Sequence, residues 1–133
     1  MDPSEYFSIA KFLVKINQPG LPKEICYRTA INRLYYGIFH LIQIKLNIII
    51  PDSEINRCHA FVKSQIEETK LRSDYSDLEA YRVEVDYNLF NKINLNHYKD
   101  ALRIQERIIN KIKDPNFVPY EDDNDFYYSR KKD

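Results

Sequence analysis

The run YRTAINRLYYGIFH, residues 27–40, reads as successive turns of α-helix that are apolar over most of their circumference. Ala30, Ile31, Leu34, Tyr35, Ile38 and Leu41 form a broad apolar surface at helical spacing, while Arg33, Tyr36, Gly37 and His40 fall at i, i+3, i+4 and i+7 and share one stripe. A helix with so much apolar surface belongs at the centre of a bundle. The Arg, Tyr, Gly, His stripe is then expected to face a partner or a cleft. Gly37 in mid-helix costs about 1 kcal/mol relative to alanine. Either another backbone or a partner approaches closely there, or a small residue is simply tolerated.

Working outward, this helix is expected from Pro22 to about Leu46. On its N-terminal side NQPGLP, residues 17–22, reads as a turn in which Gly20 closes a first helix and Pro22 opens the second. The first helix runs from Pro3 to about Asn17, with Asp2 as cap and Glu5 as the capping-box carboxylate. Its apolar positions Tyr6, Ile9, Ala10, Leu13 and Ile16, widened by Phe7, Phe12 and Val14, call for neighbours on more than one side. On the C-terminal side, Ile48 to Pro51 is an apolar connection tucked against the bundle. A third helix follows from Asp52 or Ser53 to about Thr69, with Ile55, Cys58, Phe61, Val62 and Ile66 inward and His59 beside that face. The fourth, from Leu71 or Ser76 to Leu89, has Leu78, Tyr81, Val85 and Leu89 on one side and Glu79, Arg82 and Asp86 along another. Phe90 to Asn96 is a loop, and Asn96 caps a fifth helix that ends near Lys113. The expected fold is all-α: an up-and-down antiparallel bundle of four to five helices over residues 1–113, with an irregular acidic and aromatic tail over residues 114–133.

Composition narrows the function classes. The chain has 133 residues, with 20 basic and 20 acidic side chains that cancel, so it lacks the global field of a non-specific nucleic-acid binder. RNA contact would need a local patch. No run approaches the roughly 20 apolar residues that span a bilayer. Cys26 and Cys58 read as small buried hydrophobes in a reducing cytoplasm, which is the expected location. Gly-rich phosphate loops, paired CxxC motifs, HExxH and a serine elbow are all missing from the sequence. His40, His59 and His97 fall on three different helices with no metal-ligand spacing, so neither metal nor cofactor is expected.

Arginine with histidine remains. Imidazole can move the proton of a 2′-hydroxyl or of a leaving oxygen, and guanidinium can hold the charged phosphate, without a metal. Arg33 and His40 have these residue types on one face. Arg82 with Tyr87 forms a weaker second pair, and Arg82 has the competing option of an i, i+4 ion pair to Asp86.

These residues resemble a known family. AINRLYYGIFH is similar to the RxYYAxFH core of HEPN (higher eukaryotes and prokaryotes nucleotide-binding) domains, with Arg33, Tyr35, Tyr36, Gly37, Phe39 and His40 on the motif positions. His59 matches the histidine that opens that family's third helix, and YRVEVDY, residues 81–87, matches its RxxxDY element through Arg82, Asp86 and Tyr87. The resemblance covers residues 5–113. It implies a helical bundle, a homodimer with a composite cleft, and either of two roles. One is a metal-independent endoribonuclease of a toxin–antitoxin or defence system; the other is a non-catalytic module beside a minimal nucleotidyltransferase. The family's active pair lies on a late helix, where this chain has Tyr87 in place of histidine. On these grounds Arg33 and His40 are the expected catalytic pair, and Tyr36, His59, Arg82, Asp86 and Tyr87 the expected RNA- or nucleotide-binding residues.

Overall fold

A computed structural model of the chain describes residues 2–117. Among these residues every regular element is helical: α1 (Ser4–Lys15), α2 (Lys23–Lys45), a 3-10 helix (Asp52–Arg57), α3 (Cys58–Gln65), α4 (Arg72–Tyr87) and α5 (Leu95–Lys113). The all-α expectation holds. Helices α1, α2, α4 and α5 run alternately up and down, and the 3-10 helix with α3 forms the crossover between α2 and α4.

Helix α2 is the hub, packing against α1 on one side and α4 and α5 on the other. Ala30, Ile31, Leu34, Tyr35, Ile38 and Ile42 are essentially excluded from solvent. They meet Leu78 and Val85 of α4 and Ala101, Ile104 and Ile108 of α5 in one core. Burial of a single such side chain stabilises the fold by about 1.5–3 kcal/mol, so this interface dominates.

The chain ends of the helices differ in detail from the sequence reading. Asp2 accepts the Ser4 amide at 2.9 Å, as a cap should. Glu5 makes no reciprocal side-chain bond, so only half of the expected capping box forms. Gly20, with φ of 85°, lies in the turn beyond α1 and does not close it. Instead the Lys23 ammonium donates to the Val14 carbonyl at 2.9 Å and to the Ile16 carbonyl, covering the exposed end of α1 from the next helix. Asn47 takes a left-handed conformation, φ 52°, after α2, and the Ile48 amide bonds back to the Gln43 carbonyl at 2.9 Å. This is a Schellman-type stop with asparagine in the position glycine usually fills.

Three expectations about packing and one about capping are corrected. Helix α1 has Ile9 and Phe12 exposed and packs chiefly along α2, so among the described residues its wide apolar stripe is not covered on both sides. The expected third helix is split, because its first half tightens into the 3-10 helix and leaves Ile55 in solvent; only Val62 and Ile66 of its inward set are buried. Leu89 lies beyond the end of α4 and is exposed, and Asn94 caps α5 in place of Asn96. The Asn94 side chain accepts from the Asn96 and His97 amides at 2.9 and 3.3 Å, and His97 Nδ1 accepts the Asn94 amide at 3.0 Å. His97 is thereby explained as half of a capping box. At the other end of α5, Phe117 folds back against the core. The remainder of the expected tail, residues 118–133, lies outside the described residues. No helix among the described residues is long and apolar enough to cross a membrane.

Candidate functional site

Six of the seven residues singled out by sequence come together on α2, the start of α3 and the C-terminal half of α4, with a contribution from α1. The order of events is set by α2. Its stripe of Arg33, Gly37 and His40 does not face an open cleft as expected, because the first turns of α1 lie across it. A Cβ on Gly37 would stand 2.9 Å from Cδ1 and Cζ of the Phe7 ring, and closer still to its Cε1. An aromatic side chain, and neither a backbone nor a partner, explains the glycine.

Tyr6, next to Phe7, sits between the two expected catalytic residues. The Arg33 guanidinium lies 5.5 Å from the Tyr6 ring centroid and 5.3 Å from that of Tyr36, and the His40 ring lies 5.3 Å from the Tyr6 ring. A cation held between two rings gains about 0.5–1 kcal/mol per contact at a partly exposed site. Arg33 also donates through Nε and Nη2 to the Asn32 side-chain oxygen, at 3.0 Å for Nε. Its Nη1 has no hydrogen-bond partner among the described residues. Asn32 in turn donates to both carboxylate oxygens of Asp86, at 3.1 and 3.0 Å.

Arg82 reaches the same cluster from α4. Its guanidinium lies over the Tyr35 ring at 5.0 Å and pairs with Asp86 at 3.7 Å, while its buried Nε has no hydrogen-bond partner among the described residues. The ion pair to Asp86 weighed in the sequence reading is therefore present, though long. Tyr35 connects Arg82 to His59: its hydroxyl lies 2.8 Å from His59 Nδ1 and 2.8 Å from the Tyr75 hydroxyl. The His59 ring also packs 4.5 Å from Phe39 and 5.4 Å from Tyr36, and Phe39 stands 5.3 Å from His40. Two histidines and two arginines are thus joined by four aromatic rings.

Burial tunes these groups. His40 is held below the ordinary histidine value of 6.5 by loss of solvent. His59 is held below it by burial first and then by the positive charge of Arg82, with Glu79 partly offsetting both. Burial pushes the Tyr35 hydroxyl up to about 12, against the opposing pull of its bond to Tyr75. Burial and Tyr35 push the Tyr75 hydroxyl up further. Both imidazoles are therefore neutral near pH 7 and able to take or share a proton.

Tyr87 is left out. It is 73 % exposed at the end of α4 and makes no hydrogen bond or ring contact among the described residues. The residues that sequence reasoning missed are Asn32, Tyr75 and Tyr6. Tyr75 was legible, since Tyr75, Glu79, Arg82 and Asp86 fall at i, i+4, i+7 and i+11 along α4. Tyr6 and Asn32 carried no distinctive signal. The groove of about 260 Å³ between the 3-10 helix and α3 is lined by Glu54, Arg57, Ala60, Phe61 and Ser64, none of which belongs to the cluster. No set of three or more His, Cys, Asp or Glu side chains suited to a metal ion assembles among the described residues.

Comparison with family models, with curated proteins and with solved structures finds no match to the chain.

Proposed function

We propose that the chain is a HEPN-like bundle that binds RNA on the face formed by Arg33, Tyr36, His40, His59 and Arg82, and that it cleaves RNA without a metal. The observation that carries this reading is the convergence, from sequence positions far apart, of two arginines and two neutral imidazoles among aromatic rings. Rings of this kind offer stacking surfaces for unpaired bases, and guanidinium matches phosphate geometry. In the cleavage step His40 accepts the 2′-hydroxyl proton as O2′ bonds to phosphorus. The P–O5′ bond breaks, and the departing oxygen takes a proton from the imidazolium or from water. Arg33, through its unbonded Nη1, holds the non-bridging oxygens as negative charge builds up.

Purified protein is incubated with total RNA in EDTA beside Arg33→Ala and His40→Ala variants. Cleavage by the unmodified chain that falls by a factor of about 100 or more in each variant supports the reading; cleavage that survives both sinks it. The same reading places the chain as a homodimer and as a component of a toxin–antitoxin or defence system. Light scattering at micromolar concentration tests the first, and a monomer argues against a composite cleft.

A second reading is a non-catalytic interaction module that docks a minimal nucleotidyltransferase. What favours it is the loop after α4, where Leu89 and Phe90 project into solvent, Phe90 at 99 % exposure. Arg28 holds that loop in shape through the Val85 carbonyl at 2.9 Å, the Asn88 carbonyl at 3.0 Å and the Asn91 carbonyl. Absence of any cleavage in the RNA assay selects this reading.

A further inference from the structure

The chain of groups ending at His59 has a proton count that fixes its direction. Tyr75 and Tyr35 each carry one hydroxyl proton, and their oxygens are 2.8 Å apart, with Tyr35 also 2.8 Å from His59 Nδ1. Two arrangements run head to tail, and a third, in which the Tyr35 oxygen accepts from both neighbours, strands the proton of the buried Tyr35 hydroxyl. In the first, Tyr75 donates to Tyr35 and Tyr35 donates to Nδ1, so both hydroxyl protons are used. In the second, Nδ1–H donates to Tyr35 and Tyr35 donates to Tyr75. The Tyr75 proton is then stranded, because Tyr75 is fully buried and its hydroxyl has no other partner among the described residues. A stranded buried donor is expensive enough to decide the matter. The first arrangement leaves Nδ1 without a proton, so the proton of the neutral ring sits on Nε2. Charging the ring would put a proton on Nδ1 and leave only arrangements that strand one hydroxyl proton, which works against the imidazolium as well.

His59 Nε2 makes no hydrogen bond within the described residues, and Arg82 Nε is the one fully enclosed side-chain nitrogen or oxygen there without a partner. His59 as a residue is only partly buried. Beside the imidazole stand the Tyr36 ring, 5.4 Å away between ring centroids, and, across Phe39, His40. A neutral N–H donor in this position polarises or holds an oxygen and abstracts nothing.

We propose that the Tyr75–Tyr35 hydroxyl pair fixes His59 as the neutral Nε2–H imidazole, which donates to a non-bridging phosphate oxygen of bound RNA. His59 and His40 then divide the work: His59 is a fixed donor, and His40, whose ring has no hydrogen bond among the described residues, is the proton acceptor. Tyr35 is a positioning residue. The ligand half of this proposal rests on the RNA reading above; the tautomer does not.

Two measurements on the full chain test it. Long-range proton–nitrogen NMR of the ¹⁵N-labelled protein near neutral pH should show His59 with a bare, hydrogen-bonded Nδ1 and a protonated Nε2, and Tyr35→Phe should return the ring to a mixture of tautomers. A protonated Nδ1 in the unmodified protein overturns the proposal, and this readout needs no variant that might fail to fold. Binding of a fully 2′-O-methylated RNA oligonucleotide, which cannot be cleaved through its 2′ oxygen, is then followed by fluorescence anisotropy. His59→Gln places an amide N–H near the Nε2 position and cannot titrate, so it should bind within about threefold of the unmodified chain. His59→Ala should lose about tenfold or more, the order expected for one hydrogen bond to a charged oxygen. Equal losses in the two variants overturn the donor role. Binding that Arg33→Ala weakens, with Nδ1 protonated, defeats this inference and leaves the RNA reading standing. No binding by the unmodified protein defeats the RNA reading and the ligand half with it, whatever the tautomer.

Discussion

Replacing Gly37 with alanine sets two effects of opposite sign against each other. Alanine in mid-helix gains about 1 kcal/mol over glycine from the unfolded-state entropy it removes. Against this, the new methyl group would stand 2.9 Å from Cδ1 and Cζ of Phe7, with Cε1 nearer still. Restoring a carbon–carbon separation of about 3.5 Å needs a retreat of about 0.6 Å or more. Phe7 cannot slide without either turning out of the α1–α2 interface or lifting α1. Turning out forfeits much of the 1.5–3 kcal/mol or so that burial of a large apolar side chain supplies, and overpacking of tight contacts costs about 1–3 kcal/mol. The net expectation is destabilisation by about 1 kcal/mol, read as a lower urea midpoint with an unchanged slope. Because Tyr6 precedes Phe7 and touches both Arg33 and His40, the same variant should disturb RNA cleavage more than its stability loss accounts for. Stabilisation by about 1 kcal/mol would refute this reasoning, since it would mean that the Phe7 ring swings aside at no cost and that the glycine is merely tolerated.

Other perturbations have clear signs. Arg28→Ala removes a side chain only 13 % exposed that binds one carbonyl in the last turn of α4 and two in the loop beyond it, and should cost about 2–3 kcal/mol in urea unfolding while accelerating amide exchange in residues 88–91. His40 and His59 both have native pKa values below their unfolded value of 6.5, so the unfolded chain binds more protons between the two values. Stability is then complete above about pH 6.5 and is lost as pH falls through the native values; a urea midpoint that rises on acidification over that range would contradict the burial of these rings. Tyr35, pushed up to about 12 from 10.0, gives the opposite limb: the native state holds its proton longer, so stability falls as pH rises above 10. Ultraviolet titration should find Tyr35 and Tyr75 silent at pH 10.5 while exposed tyrosines ionise, and early ionisation of either would refute the buried hydroxyl pair.

Much of the fold was legible in the amino-acid order, because the signals that specify it act within a few residues. The apolar circumference of residues 27–42 required a central helix, and α2 is central. Pro22 opened it, Asn and Pro residues bounded the connections, and α5 ended at Lys113 as its periodicity indicated. Local ambiguity produced the smaller errors. Asn94 and Asn96 are both good caps, and only His97, reaching back to the Asn94 amide, distinguishes them. The 3-10 winding of Asp52–Arg57 has no strong composition signal, so the crossover read as ordinary helix.

The residue types at the site came from the sequence as well: Arg33, His40 and Arg82 were named by residue type and shared face, Tyr36, His59 and Asp86 through the family resemblance, and all six lie in one cluster. What the sequence could not supply was who touches whom. The Tyr35 hydroxyl meets His59 across 24 positions and Tyr75 across 40, and Asn32 meets Asp86 across 54. Such pairs depend on how far each helix is rotated about its axis and where it crosses its neighbour. Those quantities are set by the whole core and by no short window of sequence. For the same reason the stripe on α2 that local periodicity left open to a partner is partly covered in the tertiary structure by Tyr6 and Phe7, with Arg33, Tyr36 and His40 still half-buried. Periodicity told which side chains share a face; only packing decided that α1 lies across it, with a tyrosine between the arginine and the histidine.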